Sequence, residues 1–353
     1  MRPPLRKKRA IVIFTTMAAM IAAAAIGIPV FADTNDSGDR DCQVSEILVN
    51  ECRPWLGARA SDYPQADDSV TEQVAHHEER IGKPLDIVHT FAAEGQLPLR
   101  TKEERALANR EDTYLYQNWK PAAKWKDAAG GDAEMDEHID AAADNIAEVA
   151  PKKIFLTIHH EPENDVSSDS ACDTKEDAAA GTAADYRDMW HNVRERFDAK
   201  GIDNVVWVMD YMNYEAWDCL VPKLYPGDEY VDWVMFNAYG DGNKADFAEN
   251  VGRFYDLLNG LSSEEMDLKS KPWGIVEWGM SDSTQEQARD YYEQAATAVE
   301  KNQFPKLSSY MIFDSPGTHE DGGLRVGYDD KGKADAEEQK RYTEFANNPV
   351  FEG

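Results

Sequence analysis

From Pro54 onward the chain alternates short apolar runs with longer amphipathic ones. The runs Trp55–Ala58, Leu85–Phe91, Thr113–Trp119, Lys153–Ile158, Val205–Met209, Val231–Phe236, Trp273–Val276 and Ser309–Phe313 have the length and composition of buried strands. Between them apolar residues recur at helical spacing, over about Ser69–Arg80, Lys102–Asn109, Glu134–Ala147, Ala183–Ala199, Ala245–Leu258 and Gln285–Lys301. Another such stretch, Ala334–Ala346, follows the last strand. The clearest is Ala183–Ala199, where Tyr186, Met189, Trp190, Val193 and Phe197 fall on one face. Only the fifth connection is weak, with a short Glu215–Leu220 segment. Eight strand–helix units predict a closed parallel (β/α)8 TIM barrel, a single α/β domain over residues 51–353. A doubly wound open sheet is the alternative, but no glycine-rich phosphate loop follows the first strand.

The start of the chain obeys a different pattern. Arg2, Arg6, Lys7, Lys8 and Arg9 precede an apolar run from Ala10 to about Phe31, and Val30-Phe31-Ala32 offers small residues for cleavage. Residues 1–32 therefore read as a signal peptide, with a membrane anchor as the alternative. Residues 33–50 are polar and read as a flexible N-terminal arm. The expected product is secreted and free of the membrane once the leader is cleaved.

Charge narrows the partners. The whole chain carries a formal charge of −30, and the leader contributes only positive residues to that sum. A surface this acidic excludes nucleic acid and anionic membrane as natural partners and would repel a polyuronate. It fits a monomer acting on a neutral substrate. The four cysteines, Cys42, Cys52, Cys172 and Cys219, contain no C-x-x-C pair and so no zinc pattern. In an exported chain they predict disulfides. Cys172 and Cys219 fall after strands four and five, which neighbour one another in a barrel, leaving Cys42 to pair with Cys52.

Two runs carry the chemistry. Lys153-Ile154-Phe155-Leu156-Thr157-Ile158-His159-His160-Glu161 is a strand that breaks into imidazoles and a carboxylate. Lys271-Pro272-Trp273-Gly274-Ile275-Val276-Glu277-Trp278-Gly279 repeats that grammar. Barrel enzymes keep their sites at the C-terminal ends of strands, so both glutamates should meet at one mouth, as hydrolysis of a glycosidic bond requires. A lone strand-end glutamate is more often solvated. Glu163 is a rival acid, although Pro162 makes strand continuation doubtful. A zinc-peptidase reading of the histidines fails, because H-E-x-x-H would need histidine where Asn164 stands.

The chain resembles glycoside hydrolase family 26, which includes many endo-β-mannanases. The resemblance rests on Asn118-Trp119-Lys120-Pro121 with Trp125, on Ile154–Glu161, and on Tyr186-Arg187-Asp188-Met189-Trp190. It continues through Asn204–Val208, Tyr225-Pro226-Gly227-Asp228, Tyr230–Trp233 and Gly274–Gly279, in the family's order. It implies that His160-Glu161 is the family's His-Glu pair, with Glu161 as acid/base, and that Glu277 is the nucleophile. It also implies that Tyr239 touches the nucleophile, and that no cofactor is needed. One departure stands out: Pro162-Glu163-Asn164-Asp165 replaces the Asn-Gly and tryptophan that mannanases of the family usually show after the acid.

On these grounds the expected activity is retaining, internal cleavage of a β-linked polysaccharide, with β-mannan foremost. Xylan, mixed-linkage glucan or a microbial wall or capsular glycan is the alternative within enzymes, and a non-catalytic carbohydrate-binding barrel the alternative outside them. Trp119, Trp278 and Phe313 stand at strand ends as candidate sugar platforms, and His89 as a candidate mouth residue. His76-His77, in an acidic helix, reads as solvated.

Overall fold

The computed structural model describes residues 42–60, 69–169, 171–264, 266–281, 283–315, 324–328 and 333–352. The expected leader and residues 33–41 of the expected arm lie outside them. Eight parallel strands close into one barrel in chain order. They are β1 (Trp55–Ala60), β2 (Ile87–Ala92), β3 (Tyr114–Trp119), β4 (Ile154–Ile158), β5 (Val205–Met212), β6 (Trp233–Gly240), β7 (Trp273–Met280) and β8 (Leu307–Asp314). The outer layer comprises α1 (Val70–Ile81), α2 (Lys102–Ala108), α3 (Ala133–Ala147), α4 (Ala183–Ala199), α5 (Val221–Leu224), α6 (Phe247–Leu261), α7 (Gln285–Glu300) and α8 (Ala336–Ala346). The TIM-barrel expectation holds, and the weak fifth connection is indeed short, a 3-10 helix over Glu215–Leu220 followed by a single α-helical turn.

Four helices begin with the same device. Ser69, Thr101, Thr182 and Thr284 each accept from the backbone three residues on, and Glu72, Glu104, Asp185 and Gln287 reach back to the cap. This satisfies donors that a helix start otherwise leaves orphaned. The helices bury their apolar stripes on the outside of the barrel, α4 through Tyr186, Met189, Trp190, Val193 and Phe197.

Inside the barrel, Trp55, Ile87, Tyr116, Phe155, Val206, Val208, Trp233, Met235, Val276 and Met311 pack as a separate core. Residues 42–50 sit against its N-terminal end rather than hanging free. Leu48 is buried there, the Trp55 indole donates to its carbonyl at 2.7 Å, and the Trp233 indole donates to that of Ile47 at 2.6 Å. Cys42 and Cys52 are bonded across this segment, and Cys172 is bonded to Cys219. Among the described residues no helix is long and apolar enough to cross a membrane.

One histidine corrects the sequence reading. His77 is not solvated but buried, with Nδ1 2.7 Å from Asp314 and Nε2 3.0 Å from the Tyr342 hydroxyl. It shares the inner face of α1 with Val74 and Ile81. Asp314 also pairs with Arg80 and accepts from Val326 N at 3.0 Å, which ties residues 324–328 back to the barrel.

Candidate active site

The mouth is built where β5, β6 and β7 run past their apolar stretches. Strand residues alternate faces, so Gly274 and Val276 inside would normally be followed by Trp278 inside and Glu277 outside. The β6–β7 ladder breaks that alternation: Phe236 pairs with Ile275, but Asn237 pairs with Glu277, leaving Val276 unpaired. Such a bulge turns the following residues over. Glu277 faces into the mouth, where the Tyr239 hydroxyl donates to its Oε2 at 2.6 Å.

Glu161 arrives by a different route. Immediately beyond β4 the chain kinks through two left-handed residues, His159 at φ 52° and Glu161 at φ 48°. Side chains with a Cβ adopt this conformation at a cost of about 1 kcal/mol or more, so the surroundings must hold it. His159 N donates to Trp119 O at 2.7 Å and Glu161 N to Asp210 O at 3.1 Å. The Trp125 indole donates to His159 Nδ1 at 3.0 Å. Indole can only donate, so Nδ1 is bare and the ring proton sits on Nε2, 2.7 Å from Asp165. Burial works against the Asp165 charge, but this bond and Lys120 hold its carboxyl down at about 2. The side chain of Glu161 then accepts from Asn237 Nδ2 at 2.7 Å and Asn164 Nδ2 at 3.1 Å.

Both glutamates resist ionisation. Burial raises Glu161, with the Asn237 bond pulling the other way. Burial and then the Glu161 charge push Glu277 up to about 8, against the Tyr239 bond and the Arg59 charge. Two carboxyls that oppose one another's charge titrate as a pair and not singly. A retaining glycosidase needs one of its carboxyls protonated and the other ionised, a split that such mutual opposition favours.

His89, on β2, is fully buried in the mouth. Asn118 Nδ2 lies 3.0 Å from its Nε2, and its Nδ1 lies 3.8 Å from Glu277 Oε1. With the Asn118 amide as donor, the His89 proton points at Glu277. Burial, then the charge of Arg59, holds His89 well below the usual imidazole range, so it stays neutral. His160 packs at a tilt against Phe91, with ring centroids 5.3 Å apart. Phe313 packs edge-on to Tyr239 at 5.9 Å and remains partly exposed.

Two expected platforms are elsewhere. Trp278, turned over by the bulge, is buried among Phe247, Tyr291, Tyr292, Tyr342 and Phe345 of the outer helices. Trp119 is buried against Phe197, its indole donating to Gln96 O at 3.0 Å. Neither ring is open to a sugar. Glu163, the rival acid, is also fully buried, its Oε1 accepting from Met212 N at 3.1 Å in a 3-10 turn that faces the β5 end.

Asp210 was not foreseen. The apolar run of β5 stops at Met209, yet the strand continues, and the inward alternation of Val206 and Val208 brings Asp210 inside. Neither of its oxygens has a hydrogen-bond partner among the described residues. Burial, then the charges of Glu277, Glu161 and Glu163, pushes its carboxyl well above the usual range. No group of side chains among the described residues is arranged to hold a metal ion.

The closed parallel barrel thus brings half-buried Glu161, just past β4, and buried Glu277, on β7, to one mouth. The family model described as glycosyl hydrolase family 26 matches residues 173–303, which include Tyr239 and Glu277 and begin after Glu161. In fold the chain is similar to the catalytic domain of a Bacillus sp. endo-β-1,4-mannanase, with 15% identity, a TM-score of 0.59, and 85% of this chain and 86% of that one covered. It is likewise similar to a Cellulomonas fimi endo-β-1,4-mannanase double mutant (14% identity, TM-score 0.58, 84% and 71% covered). A third likeness is to a Bacillus subtilis mannanase (16% identity, TM-score 0.54, 84% and 85% covered). No curated protein matches by sequence. With the family 26 glycosyl hydrolases the chain shares a model match over residues 173–303, and with these mannanases it shares the barrel fold.

Proposed function

We propose that the protein is an exported, retaining endo-β-glycosidase whose foremost substrate is β-mannan. The observation that carries this reading is the shared seating of Glu161 and Glu277, joined through β6 by Asn237 and Tyr239. In the first step the Glu161 proton passes to the glycosidic oxygen as that bond breaks. A Glu277 oxygen bonds to the anomeric carbon and forms a glycosyl-enzyme. In the second step Glu161, now ionised, takes a proton from water, whose oxygen displaces Glu277 and restores the starting state. Tyr239 and His89 favour the ionised nucleophile by donating or pointing protons toward it. The mannan choice draws on the names of the similar structures.

Export is supported by the leader pattern and by two disulfides. The test is incubation with mannan, galactomannan, xylan and mixed-linkage glucan, with the products followed by NMR. An inverted first product overturns the mechanism. Activity on the other glycans but not on mannan overturns only the substrate.

A further inference from the structure

We propose that Tyr214 and Trp217 form a sugar-binding subsite on the rim above β5 and β6, taking a pyranose ring of the glycan away from the bond that is cut. The proposal rests on the reading of the barrel as a glycan-cleaving enzyme.

Among the described residues the exposed large apolar side chains are Tyr214, at 43% exposure, and Val44, at 40%. Val44 lies at the floor of the barrel, whereas Tyr214 stands two residues past β5, on the face that holds the carboxyl pair. A scattered exposed apolar residue needs no explanation, but this one is mounted. The Tyr214 and Trp217 rings meet edge to face at 4.7 Å, and Trp217 N donates to Tyr214 O at 3.0 Å. Tyr214 N in turn donates to Met212 O at 2.7 Å. Met212 N is the donor to buried Glu163, so the carboxyl that is not the acid anchors the rim instead.

Two further ties hold the turn. The Arg253 guanidinium bonds Asn213 at 2.9 Å and Asp218 at 2.7 Å, and Cys219 is bonded to Cys172 of the loop after β4. A ring fixed before binding loses little freedom on binding, which is what makes an aromatic an effective contact.

The surroundings select a sugar. A pyranose presents C–H groups to a ring face and hydroxyls at its edge. Lys244 Nζ lies 5.7 Å over the Tyr214 ring, so a donor for sugar hydroxyls stands beside the aromatic pair. Large exposed apolar surface here is confined to Tyr214, with half-buried Trp217 beside it and exposed Glu215 and half-buried Asp218 next to them, unlike a broad apolar face made for a protein. Glu161 N bonds Asp210 O, and four further residues at about 3.3 Å each reach Tyr214. That distance lies within the span of a short oligosaccharide crossing the mouth. The pair thus supplies from the β5 loop an aromatic platform that the segment after Glu161 lacks.

The test combines binding and kinetics. In affinity electrophoresis through galactomannan, the Glu277→Gln chain should be retarded, and adding Tyr214→Ala should weaken that retention about tenfold, the value of one aromatic contact. Tyr214→Phe, which keeps the ring, should restore it. In the otherwise unaltered protein, Tyr214→Ala should raise KM for the polysaccharide about tenfold and alter kcat by less than about twofold. Trp217→Ala should act in the same direction. Retention and KM indifferent to Tyr214→Ala, or a loss confined to kcat, overturns the subsite and leaves the enzyme reading intact. Absence of both hydrolysis and retention on every glycan overturns the two together.

Discussion

Asn237 lies in register with Glu277 because the β6–β7 ladder skips Val276. Its amide, in turn, holds Glu161 at 2.7 Å. One irregularity therefore seats both glutamates, and changes to either should show the same phenotype.

Glu161→Ala and Glu277→Ala should each lower turnover by about a thousandfold or more with the fold retained, since both side chains stand at the mouth and not in the packed core. Azide should restore part of the activity of Glu277→Ala by occupying the vacated space. Steady-state kinetics and circular dichroism check this. Turnover near that of the unaltered protein in either variant removes that residue from the chemistry.

Activity should fall as pH rises through about 8, where the glutamate pair gives up its shared proton. The Tyr239 bond lowers Glu277, so Tyr239→Phe should raise the pH at which the nucleophile ionises. The acid limb of the kcat/KM profile would then shift upward, with kcat reduced about tenfold to a hundredfold. An unchanged acid limb would show that Tyr239 does not govern this ionisation.

Stability should carry its own pH dependence through Glu338. Its carboxyl, buried beside Asp335 and accepting from Gly327 N at 3.1 Å, is pushed by burial up to about 8. Its folded value lies above the ordinary 4.5, so the folded state holds an extra proton between these limits, and stability is lost as pH rises through them. Glu338→Gln keeps an acceptor for Gly327 N and has no proton to lose. Its melting temperature relative to the unaltered protein should climb from pH 5 to pH 8 and then level. A constant difference across that range would rule this out.

Replacing Cys172 and Cys219 by serine should cost about 2–4 kcal/mol, the usual worth of a bond closing a loop of this length. Limited proteolysis should then cut first within residues 165–181. Chemical denaturation with and without the pair gives the energy, and mass spectrometry locates the cut.

The barrel itself was legible because its strands are apolar and its helices periodic. What escaped reading lies where those rules stop. β5 ends in Asp210, Tyr211 and Met212, so a hydrophobic run cut the strand short and hid the carboxyl. Trp278 was placed at the mouth because alternation and strand-end position ignore a bulge, which leaves no mark in composition. His77 looked solvated beside acidic neighbours, although Val74 and Ile81 on the same helical face signalled burial. The rim pair Tyr214 and Trp217 lies past the end of β5, in the connection with the weakest sequence signal, whereas the sequence offered platforms only at strand ends. Glu161 and Glu277 are legible as strand-end carboxylates at one mouth, whereas their separate roles and those of Tyr239 and His160 come only from the family resemblance.

The floor of the barrel sets where the protein can begin. The indoles of Trp55 and Trp233 give their protons to Leu48 and Ile47, residues that precede the first strand and are stapled from Cys42 to Cys52. A chain shortened to start at Pro54 would keep every strand and helix yet leave those indoles unanswered and the inner core open to water from below. The smallest watertight barrel starts at Cys42, so the stretch before the first strand works as a stopper.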